Sequence, residues 1–292
     1  MGPAGATRRR VAGRGDWLVT CADLDTPTHP LLERVAVVAN DRVATGVGLI
    51  LLRAPRIAAA VAPGQFVHLR IATGADFLLR RPFSVHRTGD GTVEILYQVL
   101  GRGTAALAKA SRGDEMDAIG PLGKGWEVPD GTAHALLVAG GLGAAPLGML
   151  AEQLAARGVA VSVALGAPTA ERLMARTLFE SVARRVEVAT DDGSAGEHGF
   201  VTTVSGRLIE SDRPDIVCIC GPEVMARAVV AQAAAAGVPC LVSLERLMAC
   251  GMGACLSCVV TTVHGQKRAC VDGPVFAAEE VLWDGSEVPP RH

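Results

Sequence analysis

The spacing of apolar residues changes near residue 130, and a chain with two apolar rhythms must build two kinds of layer. From Arg34 to about Val128 the apolar runs are short: Val35–Ala39, Ala44–Arg53, Gln65–Ile71, Arg81–His86 and Val93–Leu100. Turn residues separate them at Pro63-Gly64, Thr73-Gly74 and Gly89-Asp90-Gly91. Short Val-, Ile- and Leu-rich runs at that spacing predict a small antiparallel barrel or sandwich. One helix is expected within it, at Gly103–Ser111 with Thr104 as N-cap. From Ala133 to about Ser243 strands and helices alternate. Strands are expected at Ala135–Ala139, Ala160–Leu165, Arg185–Ala189, Ile216–Cys220 and Pro239–Val242. Helices fall between them at Pro146–Arg157, Thr169–Ala183, Gly199–Ser211 and Pro222–Ala236. Such alternation predicts an α/β domain with a doubly wound parallel sheet.

The chain therefore divides into a tail over residues 1–32, a β-barrel over 33–130, an α/β domain over 131–242 and a C-terminal segment over 243–292. The 292 residues suffice for more than one core without disulfide staples. A net charge of −2 and only 3% aromatic residues argue against a nucleic-acid partner, which asks for a positive field and rings to stack on. Arg8, Arg9, Arg10 and Arg14 are not followed by the apolar stretch of a signal peptide. The longest uncharged runs, Ala135–Ala151 and Ala228–Leu244, are short for a membrane span and broken by Gly and Pro. A cytoplasmic protein with reduced cysteines and no membrane partner is expected.

Four of the eight cysteines are concentrated in the C-terminal segment. Cys250, Cys255, Cys258 and Cys270 follow the spacing C-x4-C-x2-C-x11-C. Four thiolates in a short loop can surround a metal centre, and the opening C-x4-C-x2-C matches the plant-type 2Fe–2S pattern. Gly251 and Gly253 allow a loop to fold round sulfide with its amides turned inward. A structural zinc more often shows two separated C-x2-C pairs, and it remains the alternative.

A second motif, Gly140-Gly141-Leu142-Gly143-Ala144-Ala145-Pro146, links a strand to a helix. Glycines there let a phosphate reach the helix N-terminus. Pro146 stands in the third glycine's place, and no acidic residue closes the next strand as the usual dinucleotide fingerprint requires. Further on, Asp191 and Asp192 and then Cys220-Gly221-Pro222 follow strands, at the sheet edge where ligands bind. The two carboxylates there disfavour a ribose 2′-phosphate and so favour NADH. In the barrel, Arg81, Phe83 and Ser84 on one strand can address a phosphate, a ring face and a ring nitrogen. Gly101, Gly103 and Thr104 at a helix start form a second phosphate cradle. The segment Gly120-Pro121-Leu122-Gly123-Lys124-Gly125 reads as a turn. His68, His86, His134, His198 and His264 have no partner evident in sequence, and no catalytic acid–base pair is expected.

Together and in this order, these residues resemble the ferredoxin–NADP reductase superfamily, a flavin barrel followed by a nicotinamide domain. Arg81-Pro82-Phe83-Ser84 looks like its flavin motif, Gly141-x-Gly143-x-x-Pro146 its nucleotide turn and Cys220-Gly221-Pro222 its nicotinamide-side motif. With the C-terminal cysteines, the resemblance narrows to the electron transfer subunits of dihydroorotate dehydrogenase B and covers about Arg34 to Phe276. It implies FAD, one 2Fe–2S cluster and NAD as cofactors. Arg81 would hold FAD phosphate, Phe83 and Ser84 would meet the flavin ring, and Gly101, Gly103 and Thr104 would cradle the pyrophosphate. Gly141, Gly143, Pro146, Asp192, Cys220 and Gly221 would face NAD, and Cys250, Cys255, Cys258 and Cys270 would hold the cluster. The implied partner is an FMN-containing catalytic subunit that oxidises dihydroorotate, two of each subunit forming a heterotetramer. Electrons would run from FMN through the cluster and FAD to NAD+. Phe83 departs from the superfamily's tyrosine, which keeps ring stacking and removes a hydroxyl contact. The rival family, flavin subunits of NADH-dependent ferredoxin:NADP oxidoreductases or sulfide dehydrogenases, carries Asp where Cys250 stands. A zinc-binding interaction protein is the alternative of a different class.

Overall fold

A computed structural model of the chain describes residues 30–72 and 77–283. The expected tail lies outside the described residues up to position 29, as does the expected turn at Thr73-Gly74. Leu31 and Leu32, the last two residues of the expected tail, belong to the first strand.

The N-terminal unit contains β1 (Leu31–Ala44), β2 (Val47–Arg53), α1 (Pro55–Ala60), β3 (Phe66–Arg70), β4 (Arg81–Ser84), β5 (Arg87–Gly89), β6 (Thr92–Gln98), α2 (Arg102–Leu107) and β7 (Glu115–Leu122). Its strands form an antiparallel sheet in the order β4-β3-β7-β1-β2-β6-β5. The outermost strands, β4 and β5, are separated along the chain by Val85 and His86 alone. Val85 N–H donates to Gln65 O at 3.1 Å and His86 N–H to Glu94 O at 2.8 Å. One segment thus leaves the β3 edge and joins the β6 edge, and the sheet curls shut. Alternate residues such as Val35 and Val37, Ile50 and Leu52, and Val93 and Ile95 fill the interior.

Gly48 leaves room for the Tyr97 ring, because a Cβ there would fall 2.4 Å from it. The Tyr97 hydroxyl donates to Asn40 Oδ1 at 2.8 Å. Asn40 in turn donates to the Leu107 and Ala110 carbonyls at the end of α2. Buried Glu33 accepts from the Arg56 and Ile57 amides, which the short α1 leaves without helical partners.

The α/β unit contains β8 (His134–Gly140), α3 (Ala145–Ala156), β9 (Ala160–Ala167), α4 (Arg176–Val182), β10 (Arg185–Thr190), β11 (Glu197–His198), α5 (Val201–Asp212), β12 (Ile216–Cys220), α6 (Glu223–Ala235) and β13 (Cys240–Ser243). The strand order β11-β10-β9-β8-β12-β13 is parallel throughout. Its first strand, β8, lies between β9 and β12, which places the topological switch point at the carboxyl ends of β8 and β12. Leu137 and Ala139 pack toward α3 and α4, while Leu136 and Val138 pack toward α5 and α6. A strand buried on both faces explains the unbroken apolar run.

The C-terminal segment contains a hairpin, β14 (Val259–Thr262) and β15 (Gly265–Arg268), and then β16 (Val275–Ala277). β16 pairs antiparallel with β13 and extends the α/β sheet. The barrel, sheet and C-terminal segment meet at residues 120–126. Lys124 N–H donates to Gly273 O, Trp126 N–H to Pro63 O and Trp126 Nε1–H to Pro146 O.

Several sequence expectations change. α1, β5, β7, β11 and the C-terminal strands β14, β15 and β16 were not foreseen. The expected strand Arg81–His86 ends at Ser84, where the chain changes edges. The expected helix Thr169–Ala183 is split by an extended Leu173 and a left-handed Ala175. Thr104 is not the N-cap of α2; that position is Gly101, whose amide donates to Thr104 Oγ1 at 3.2 Å. Among the described residues, no helix is long and apolar enough to cross a membrane.

Replacing Glu33 with Ala leaves two amides at the start of α1 without a partner. The Glu33→Ala variant is expected to lose about 2 kcal/mol of stability, read as a lower urea midpoint with an unchanged slope.

Candidate functional site

A cleft of about 610 Å3 opens at the switch point, with Val47, Gln98 and Leu100 on the barrel side. Gly140 to Gly143 and Gly221-Pro222 line the other side. Gly143 is required by the close passage of two chain segments: a Cβ there would fall 2.1 Å from the Cys220 carbonyl oxygen. Gly141 adopts a φ of +54°, and α3 begins directly after this turn. A twelve-residue helix opening at the cleft gives an N-terminal dipole that favours a phosphate. Cys220 is buried next to Gly221 and is not among the residues that line the cleft. Burial, reinforced by the Glu245 charge and opposed by a hydrogen bond with Ser243, pushes its thiol up to about 12. Pro146 sits behind the lining, with its carbonyl held by Trp126. Asp191 lines the cleft, whereas Asp192 Oδ1 accepts from the amide and hydroxyl of Ser194. The carboxylates that line the cleft are Asp191 and Glu245, and Asp192 is not among the lining residues.

The two halves of the barrel motif come together. Arg81, Phe83 and Ser84 lie half-buried on β4, and a Cβ on Gly103 would stand 3.0 Å from Arg81 Nε. Arg81 Nη1 donates to the Leu79 carbonyl at 2.6 Å, which fixes the guanidinium beside the start of α2. Gly101 has open space where a side chain would be. The Phe83 ring meets Tyr97 edge-on, with centroids 6.4 Å apart and planes at 77°. Thr104 Oγ1 accepts from the Leu100 and Gly101 amides and donates to the Gly101 carbonyl. That hydroxyl shapes the turn, and Gly101 is the position beside it with open space.

In the cysteine loop, backbone amides point at sulfur. Met252, Ala254 and Cys255 N–H donate to Cys250 Sγ at 3.5, 3.3 and 3.4 Å. Gly253 N–H donates to Cys270 Sγ at 3.2 Å. Gly251 and Gly253, with φ of +72° and +84°, make this inward turn of the amides possible. Cys255 is exposed, while Cys258 and Cys270 are buried. The Ser257 hydroxyl and amide, with help from Cys250, hold the Cys255 thiol down at about 6. Burial and the neighbouring Cys258 push Cys270 up to about 12. Amides aimed at sulfur fit an iron–sulfur centre, whose thiolates and sulfides accept hydrogen bonds. Among the described residues no three His, Cys, Asp or Glu side chains converge as a single ion requires.

Residues 245–282 match the family described as the iron-sulfur cluster binding domain of dihydroorotate dehydrogenase B, and residues 137–231 match the oxidoreductase NAD-binding domain. The electron transfer subunit of dihydroorotate dehydrogenase B (NAD+) from Desulforamulus reducens is 41% identical over 237 residues, 79% of this chain and 90% of the relative. The chain belongs to this family of electron transfer subunits. The corresponding subunit of Geobacillus thermodenitrificans is 40% identical over 257 residues, 86% of this chain and 98% of the relative. Among solved structures, an NADH-dependent reduced ferredoxin-NADP oxidoreductase superposes with a TM-score of 0.78 at 34% identity, covering 85% of this chain and 90% of that one. The ferredoxin NADP+ reductase of Neisseria gonorrhoeae (TM-score 0.59, 16% identity, 70% and 92% coverage) shares the fold.

Sequence reasoning missed two features of this electron transfer subunit. Arg268 N–H and Nε–H both donate to Asp272, bracing the turn that carries Cys270. His68 lies buried against the cysteine loop, and burial pushes its imidazole down to about 4. A lone histidine in an apolar strand carries no sequence signal of such a position. His134 also has partners, Ser162 and Asp212, at the sheet edge opposite the cleft. Ser162 gives its one proton to Asp212, so His134 cannot act as its base. That arrangement braces the sheet and does not activate a nucleophile.

Gly143→Ala is expected to destabilise the subunit by about 1–3 kcal/mol through overpacking and to weaken NADH binding. Urea denaturation and NADH fluorescence titration measure the two effects.

Proposed function

We propose that this chain delivers to NAD+ the electrons released when a partner subunit oxidises dihydroorotate in pyrimidine biosynthesis. The observation that carries this reading is the four-cysteine loop with amides turned to its sulfurs, in a chain 41% identical to a dihydroorotate dehydrogenase B electron transfer subunit. When bound, FAD exchanges hydride with the nicotinamide and single electrons with a 2Fe–2S cluster.

The protein's part is to hold, orient and space these groups. Residues 33–130 would seat FAD: Arg81 would pair with its phosphate, Phe83 and Ser84 would border the flavin ring, and Gly101 and Gly103 would let the pyrophosphate approach. Residues 131–242 would seat NAD. Gly141 leaves the turn open to its phosphates, Gly143 lets that turn pack against Cys220, the first turn of α3 supplies dipole, and Gly221 lines the cleft at the nicotinamide end. The buried Cys220 thiol stays protonated next to Gly221 and adds no charge. Asp191 disfavours a 2′-phosphate, which supports NADH over NADPH. Residues 243–292 would hold the cluster through Cys250, Cys255, Cys258 and Cys270.

The implied partner is an FMN-containing catalytic subunit, with two copies of each in a cytoplasmic heterotetramer. Leu247, Met252 and Leu256, on and beside the loop carrying Cys255, are 88%, 53% and 62% exposed. Large apolar side chains grouped in this way favour cover by a protein surface. The resemblance to an NADH-dependent reduced ferredoxin-NADP oxidoreductase supports a second reading as a flavin subunit of that kind. Cysteine at position 250 favours the first.

The test is co-expression with a dihydroorotate-oxidising subunit. A purified complex with flavin and iron–sulfur absorbance that reduces NAD+ with dihydroorotate is expected; a colourless, zinc-loaded chain would refute the reading. Cys255→Ser should lose the cluster and the dihydroorotate-to-NAD+ activity by more than tenfold while keeping FAD and NADH–dye reduction, and retained transfer would exclude the cluster from the path. Arg81→Ala should lower the flavin content of the purified protein severalfold, measured by absorbance after denaturation.

A further inference from the structure

His68 of β3 is 1% exposed, and neither of its ring nitrogens has a hydrogen-bond partner. Buried polar atoms left unpaired are destabilising and mark a missing partner. Across the barrel sheet His68 pairs with Pro82, between Arg81 and Phe83 of β4. On its other side the ring meets the cysteine loop: a Cβ on Gly251 would lie 2.5 Å from Nδ1. Gly251 is glycine both for its positive φ and because the imidazole occupies the space of a side chain. The ring thus stands in the partition between the strand assigned to the flavin and the loop assigned to the cluster.

The Cys250 and Arg80 carbonyls lie near the ring, yet neither meets hydrogen-bonding geometry. The other acceptor chemistry that this loop carries is sulfur, toward which four of its amides already turn. We propose that His68 is a positioning residue of the iron–sulfur centre: its ring N–H donates to a sulfur of the bound 2Fe–2S cluster and holds the Cys250 loop against β3. Imidazole carries at least one N–H whether neutral or protonated, so the donor is present in either form. A hydrogen bond to cluster sulfur stabilises the more negative, reduced state and raises the reduction potential. One side chain would then set both the place of the cluster beside the flavin strand and its tendency to accept an electron.

This inference rests on the iron–sulfur reading above, and the experiment separates the two. The full chain is prepared with ring-15N histidine, and its reduced cluster is examined by pulsed EPR. A coupling from a histidine nitrogen is expected in the wild type and should disappear in His68→Gln and His68→Leu. In a potentiometric titration, His68→Leu should shift the midpoint to more negative potential. His68→Gln, which keeps an N–H donor, should remain closer to the wild type. A cluster-loaded wild type without histidine coupling overturns the proposal, as does a coupling that persists in both variants or an unshifted midpoint in His68→Leu. Where the variants fail to retain the cluster, the wild-type coupling decides. A wild type with no cluster signal refutes the iron–sulfur reading and the inference together.

Discussion

The arrangement of the molecule depends on the hydrogen bonds made by residues 120–126. Gln65 Nε2–H donates to the Gly123 carbonyl at 2.7 Å, and the Trp126 amide donates to Pro63 at 2.9 Å, which ties the segment to the barrel. The Lys124 amide reaches Gly273 at 2.6 Å, which ties it to the chain after the cysteine loop. The Trp126 indole reaches the Pro146 carbonyl at 2.9 Å, which ties it to the first turn of α3. Two glycines admit these contacts: a Cβ on Gly123 would meet the Gly273 oxygen at 2.6 Å, and one on Gly125 would meet the Pro63 oxygen at 2.2 Å. A fourth tie, His86 Nδ1–H to the Ala145 carbonyl at 2.9 Å, fixes the same helix turn from the barrel side. Electron transfer falls off steeply with distance, so a protein whose task is spacing needs such a junction to be rigid.

The α/β unit was legible because β8, β9 and β12 are buried on both faces and three of its four helices have twelve or thirteen residues. Both properties write strong patterns, and Ile216–Cys220 emerged with its bounds unchanged. The barrel was less legible where its inward residues are small. β7 alternates buried Met116, Ala118, Gly120 and Leu122 with more exposed neighbours, and half of those inward positions carry almost no hydrophobic signal. Its Gly120-Pro121 end reads as a turn, which hid both the strand and the junction. The six-residue α1 is too short for periodicity, and Glu33, which caps it, lies far away in sequence. β16 has only three residues and takes its identity from pairing with β13.

For the site, sequence order was informative about which segments meet and poor about which atom faces the cleft. The turn at Gly141–Gly143 and the loop at Gly221 do line one cleft, as strand-following loops at a switch point must. The choice between Asp191 and Asp192 depended on which carboxylate the Ser194 turn consumes. Thr104 was drawn into the turn at α2 by the same kind of local bond. His68 could not have been read at all, because its meaning comes from Gly251, more than half the chain away.

The register of β13 with β16 has one further consequence. Leu241 faces Ala277, Val242 faces Phe276 and Ser243 faces Val275, so the strands on either side of the cysteine loop are hydrogen-bonded neighbours. The cysteine loop is therefore an excursion of roughly 30 residues whose two ends are already held together by the sheet, and the entropy of closing it falls on the folding of the sheet rather than on metal capture. Iron would enter a ring that is already closed. Losing it would free the loop between these strands without releasing its ends.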